Sequence, residues 1–138
     1  MHVNRVREDT SLLDFSVGML SGLIRAGLTT LNERRRVDLH HAFVEAFKVL
    51  EETLEKNTIR FWMTTHEIHG TSPDVDTILN YWLSSRFSTR DSPGTVYRFR
   101  IGRETADEIL SKLPGGAELY DQATKVLLEY LDTHYTAP

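Results

Sequence analysis

Apolar residues recur every three or four positions through most of this 138-residue chain and alternate one by one only in short stretches. A backbone with that balance of periods is committed to amphipathic helices around a core, with at most a small amount of sheet. The first helical pattern runs from Ser11 to about Leu28, with Leu13, Val17, Leu20, Ile24, Leu28 and Leu31 as its apolar positions. Gly18, Gly22 and Ala26 form a small-residue stripe on the same helix, suited to close approach by another helix of this chain or of a second copy. Thr30 and Glu33 have capping-box spacing, which predicts a second helix from there to about Lys56. Leu39, Phe43, Ala46, Phe47, Leu50 and Leu54 would face its core side.

Ser72-Pro73-Asp74 opens a third helix with a cap, an N1 proline and an acidic first turn. Its core positions are Val75, Ile78, Leu79, Trp82, Leu83 and Phe87. Thr105 and Glu108 make a second capping box before a short helix that ends at Leu113-Pro-Gly-Gly116. The last helix runs from Ala117 to about His134 on Leu119, Ala123, Val126, Leu127, Tyr130 and Leu131. Two segments read as strands: residues 58–64, which are β-branched and aromatic, and Thr95 to Ile101. In the second, Tyr97, Phe99 and Ile101 take one face, while Arg98 and Arg100 take an open, basic one. Ser88 to Gly94 reads as a loop.

The expected fold is therefore α+β and helix-dominated, with about five helices, a two-stranded antiparallel ribbon and the order ααβαβαα. The alternative is an all-α bundle. Residues 1–9 form a polar tail and residues 10–138 a single globular domain. A two-stranded ribbon is marginal without further packing, which adds to the glycine stripe as a sign of homodimerisation.

Composition narrows the chemistry. The absence of cysteine excludes disulfides, thiolate metal sites and a cysteine nucleophile. No leader pattern or bilayer-length apolar run is present, so the expected location is cytoplasmic. No glycine-rich phosphate loop and no nucleophile elbow occurs, and no cofactor is called for. The net charge of −4 is unevenly laid out: residues 86–103 hold five arginines and one acid, while residues 104–138 hold seven acids and two lysines. Twelve of the sixteen bases are arginines, whose planar fork suits carboxylates and phosphates.

Two basic features stand out. Arg34, Arg35 and Arg36 fall in the predicted first turn of the second helix, where cations oppose the helix dipole unless an anion offsets them. Arg86, Arg90, Arg98, Arg100 and Arg103 form the denser stretch, interleaved with Phe87, Tyr97 and Phe99. The alternation turns these aromatics away from Arg98 and Arg100, which favours phosphate or carboxylate contact over base stacking. A pI near 5.8 also lies far from that of typical nucleic-acid binders. The expected function is a small, non-enzymatic interaction or regulatory protein, homodimeric, binding an acidic protein partner or a phosphate-bearing ligand. Its contact residues would be Arg34, Arg35, Arg36, Arg98, Arg100 and Arg103, with nucleic acid a less favoured ligand.

Arg35-x4-His40 and Arg36-x4-His41 resemble the Arg-x4-6-His motif of the HEPN superfamily, small helical proteins that often act as dimeric, metal-independent RNases. The resemblance covers eight residues. It implies an alternative function in which His40 or His41 transfers protons and Arg35 or Arg36 stabilises the phosphorane. A geometric reading competes with it. Arg36 and His40 are adjacent at i,i+4 near the edge of the apolar face, His41 points outward, and the arginines pair with Glu33, Asp38 or the acidic last helix. His66 and His69, at i,i+3, form an alternative metal pair that would need a third ligand from Asp74, Asp76, His40 or His41.

Overall fold

A computed structural model describes residues 9–32, 36–64, 71–91 and 96–134. Five helices carry the fold: α1 (Leu12–Arg25), α2 (Arg36–Thr53), α3 (Pro73–Ser84), α4 (Arg103–Ser111) and α5 (Gly116–His134). A single 3-10 turn, Lys56–Thr58, follows α2. Three short strands, β1 (Thr30–Asn32), β2 (Ser88–Arg90) and β3 (Val96–Phe99), form one antiparallel sheet in the order β1-β3-β2. The helix-dominated α+β class stands, and the all-α alternative does not.

The capping box that starts α1 joins Ser11 and Asp14. The Ser11 hydroxyl accepts from the Asp14 amide at 3.1 Å, and the Asp14 carboxylate accepts from the Ser11 amide at 2.9 Å. The buried face of α1 centres on Phe15, Met19, Leu20 and Leu23, whereas Leu13 is 44% exposed and lies outside the core. Trp82 of α3 is fully buried against Phe43, Tyr97 and Phe99, with ring centroids 6.0–6.3 Å away. Its indole N–H donates to the Ser16 carbonyl of α1 at 3.0 Å, so the largest core side chain meets its polar requirement inside the core. Phe15, Phe47 and Phe61 make a second aromatic group between α1, α2 and the segment after the 3-10 turn. One contiguous core draws side chains from all five helices and from β1 and β3.

Four sequence expectations are corrected. Thr30 and Leu31 belong to β1 rather than to a helix cap, with Thr30 opposite Arg98 and Leu31 opposite Tyr97. Burial of Leu31 beside Tyr97 decides the local structure, and α2 spans Arg36–Thr53 among the described residues. The predicted Ser88–Gly94 loop contains β2, which pairs with β3 through Ser88 and Phe99, Thr89 and Arg98, and Arg90 and Tyr97. The sheet therefore has three strands, of which only β3 was expected as a strand.

Residues 58–64 form no ladder strand. Ile59 and Met63 are buried, Phe61 is half-buried, and Arg60, Trp62 and Thr64 face out, so the alternation is real. However, among the described residues the segment finds only one bridge, to Thr10, through the Thr10 amide on the Thr58 carbonyl and the Arg60 amide on the Thr10 carbonyl. Extended backbone becomes sheet only where a neighbour supplies a ladder. Finally, α4 starts at Arg103 behind an extended Gly102 that makes no side-chain cap, so Thr105 lies inside the helix.

The small-residue stripe turns inward. A Cβ at Gly18 would fall 2.3 Å from the Tyr120 ring, and one at Gly22 would fall 2.2 Å from the Thr124 hydroxyl. Both glycines let α5 press against α1, while Ala26, the third member, is exposed. The stripe and the ribbon, which suggested a dimer, thus find their partners within one chain.

Candidate functional site: the arginine corner

Strand β3 carries the basic face. Tyr97 is buried, Phe99 is half-buried on the same side, and Arg98 and Arg100 are exposed on the other, as alternation requires. The Arg98 guanidinium donates to Asp91 at 2.7 Å across the open face. At the sheet edge, Arg90 lies over the Tyr97 ring with its guanidinium carbon 5.5 Å from the centroid. That cation–π contact holds Arg90 on the aromatic side of the sheet.

Arg86 completes the group. It follows α3 with φ 65°, the only non-glycine residue with positive φ among the described residues. Its amide donates to the Leu83 carbonyl and the Ser85 amide to the Tyr81 carbonyl, closing the helix in a left-handed turn where glycine is the usual residue. The Arg100 amide donates to the Phe87 carbonyl at 2.8 Å, so Arg86 and Arg100 emerge from adjoining pieces of backbone. Both side chains are exposed, and among the described residues no carboxylate lies within ion-pair distance of either. Arg86 was visible in the basic stretch of sequence, but nothing there marked it as the helix-terminating residue.

The remaining predicted site residues lie on other elements or outside the described residues. Arg103 belongs to α4 and stands 4.0 Å from Asp107. Arg36 opens α2, and Arg34 and Arg35 lie outside the described residues. The chain leaves β1 at Asn32, opposite Val96, so it departs from the end of the sheet where β3 begins. Arg100 stands past the opposite end, on backbone hydrogen-bonded beside Arg86, and Arg98 precedes it on the same face of the strand.

His40 is fully buried. Its Nδ1 accepts the Ser72 amide at 2.7 Å, and its Nε2 lies 3.6 Å from the Asp76 carboxylate. A histidine enclosed in this way ties α2 to the start of α3 and has no face to offer a phosphodiester. His41 is half-buried and stacks on Tyr130 of α5, with centroids 6.3 Å apart and planes 6° from parallel. The neighbouring Asp38 and Glu45, together with partial burial, push the Tyr130 hydroxyl above its ordinary range, with burial the larger cause. His66 and His69 lie outside the described residues, and among those described no group of three or more potential ligands could hold a metal.

A second charged group, which the sequence reading missed, lies at the junction of α1, α4 and α5. Arg25 donates to both carboxylate oxygens of Asp121 at 2.9 Å and to Asp107. These hydrogen bonds, the one from Asp121 first, raise the guanidinium still further above its usual range. The partners are 82 and 96 residues away, so no local spacing could have announced them.

No described helix is long and apolar enough to cross a membrane. Comparison with protein-family models, curated proteins and solved structures gives no match.

Proposed function

We propose that this protein is a small interaction module that docks an acidic segment of a protein partner on the corner formed by Arg86, Arg98 and Arg100. The observation that carries the reading is the pairing of Arg86 with Arg100. Two arginines without carboxylate partners among the described residues leave adjoining backbone segments, and one of them occupies a left-handed position that costs roughly 1–2 kcal/mol for a side chain other than glycine. Such strain is retained at positions where the side chain has work to do. Arginine supplies planar, bidentate contacts to carboxylates, and Arg98, already oriented by Asp91, extends the row along β3.

A protein partner suits this corner better than a nucleic acid. Single-stranded nucleic acid is held largely by stacking on exposed aromatics, and here Tyr97 is 2% exposed, with Arg90 covering its ring. Burial of His40 takes one of the two candidate histidines of the RNase alternative out of reach of a substrate, and the other, His41, is half-buried against Tyr130.

Fluorescence anisotropy with a labelled oligoglutamate peptide and a labelled single-stranded RNA tests the proposal. The expected result is saturable peptide binding that weakens with salt and falls about tenfold or more in an Arg86→Glu/Arg100→Glu variant. Peptide binding that ignores these substitutions, or RNA binding that exceeds it at equal salt, overturns the reading.

A further inference from the structure

Oppositely charged groups stand at the two ends of α1. Beyond its C-terminal end the chain reaches Thr29, whose carbonyl accepts from the Phe99 amide, and Arg100 follows on backbone bonded to Phe87, next to Arg86. The arginine corner therefore lies past the last turn of α1. Ahead of the N-terminal end, the Thr10 amide donates to the Thr58 carbonyl, and the Thr58 amide donates to the Glu55 carbonyl. The residues that close α2 thus lie beside the start of α1. The 14 residues of α1 separate the two ends, by about 21 Å at the helical rise.

Glu51, Glu52 and Glu55 gather at that second end. All three are exposed, and among the described residues no base lies within ion-pair distance of any of them. The last turn of α2 holds no basic residue, so these charges add to the negative end of the helix dipole. Lys48, one turn earlier, is held by Glu45 at 2.6 Å, and Lys56 alone leaves the group net negative. By contrast, Asp107, Glu108, Asp121 and Glu129 on α4 and α5 already face bases of their own chain. Trp62 belongs to the same end. It is 74% exposed, the most exposed large hydrophobic residue among those described, and it follows Phe61, whose ring lies 4.8 Å from that of Phe47, one turn before Glu51. A guanidinium meets carboxylates and an indole with two kinds of attraction, charge-assisted hydrogen bonds and cation–π contact.

We propose that the acidic segment docked on the arginine corner is the end of α2 in a second copy of this chain, with Arg86 and Arg100 of one copy on Glu51, Glu52 and Glu55 of the next and Trp62 beside them. The inference rests on the docking reading of the corner and names its partner. The two ends of one chain are too far apart to meet, whereas a second copy brings unpartnered arginines and unpartnered carboxylates together. Different patches form the contact, so it is heterologous: each pair of copies keeps one free arginine corner and one free acidic end, and growth can continue past the dimer. Charge complementarity of this kind fixes orientation and weakens with salt.

Sedimentation velocity on the whole chain tests the assignment, with one variant for each end: Arg86→Glu/Arg100→Glu and Glu51→Lys/Glu52→Lys. All four positions are exposed, so circular dichroism verifies that each variant keeps its fold. The expected result for the parent is a mass that rises with concentration and returns to the monomer value as salt is raised. Each variant alone associates about tenfold or more weakly. An equimolar mixture of the two restores association, because one variant keeps its acidic end and the other its arginine corner, and it stops at one copy of each. Association that ignores either variant, or a mixture that stays monomeric, overturns the inference. A parent that stays monomeric while oligoglutamate binds the corner overturns it and spares the docking reading, and absence of both kinds of binding overturns the two together.

Discussion

The backbone amide of Ser72 donates to Nδ1 of the buried His40 at 2.7 Å, which ties the start of α3 to the middle of the chain's most charged sequence run. An acceptor at Nδ1 places the proton of the neutral ring on Nε2, the side facing Asp76. The imidazole thus takes the N-cap residue's own amide, the donor that an N3 carboxylate takes in a capping box, while the Ser72 side chain makes no cap bond. His40→Ala removes this acceptor and leaves a void, with an expected loss of about 2–4 kcal/mol in urea denaturation. His40→Asn, whose amide oxygen can reach the same amide, should lose clearly less. Equal losses in the two variants would show that His40 acts through its volume alone.

Gly18→Ala and Gly22→Ala each set a methyl group against α5. At Gly18 the obstacle is the ring of the fully buried Tyr120, and at Gly22 it is the Thr124 hydroxyl together with the Tyr120 carbonyl at 2.9 Å. A buried ring and a helix backbone have little room to give, so each substitution should cost about 1–3 kcal/mol or more. Because the clash lies within one chain, the loss should not depend on protein concentration. A concentration-dependent loss would return the stripe to an interface between copies.

Much of this fold was legible because helices write their burial into a repeating pattern. Leu39, Phe43, Ala46, Phe47 and Leu50 of α2, and Val75, Ile78, Leu79 and Trp82 of α3, are buried as their spacing predicts. The strands were harder to read. Three residues are too few to show a period, so β1 and β2 exist only because β3 offers both of its edges. Residues 58–64 show the converse: alternation with a single bridge, to Thr10, among the described residues left extended chain. Of the candidate site, Arg98 and Arg100 were readable from the pattern of β3. The helix-ending geometry of Arg86 and the Arg25 pairs with Asp107 and Asp121 arise from contacts that no local window contains.

Arg86 sets stability against the proposed binding. Glycine pays no steric cost at φ 65°, so Arg86→Gly should raise stability by about 1 kcal/mol, read as a higher urea midpoint with an unchanged slope. The same substitution removes one of the three cations that form the corner and should weaken oligoglutamate binding. Opposite changes in the two measurements are the expected signature. A variant that gains stability and keeps full affinity would reduce Arg86 to an ordinary helix-end residue.

Tyr120 offers a test at alkaline pH. Its ring packs against Gly18, and its hydroxyl is buried with no partner among the described residues. Burial, with a smaller contribution from Asp14, pushes that hydroxyl well above the ordinary tyrosine range. The folded chain therefore keeps the proton while the unfolded chain releases it above about pH 10. This group's contribution to stability is complete below that pH and is lost as pH rises through the alkaline range, by at most about 1.4 kcal/mol per unit. Tyr120→Phe keeps the ring and deletes the unmet hydroxyl, so at neutral pH it should equal the parent or exceed it by up to about 1 kcal/mol. Between roughly pH 9 and pH 11, its Tm should fall less steeply than the parent's. Parallel curves would mean that the Tyr120 hydroxyl reaches solvent or a partner in the folded protein.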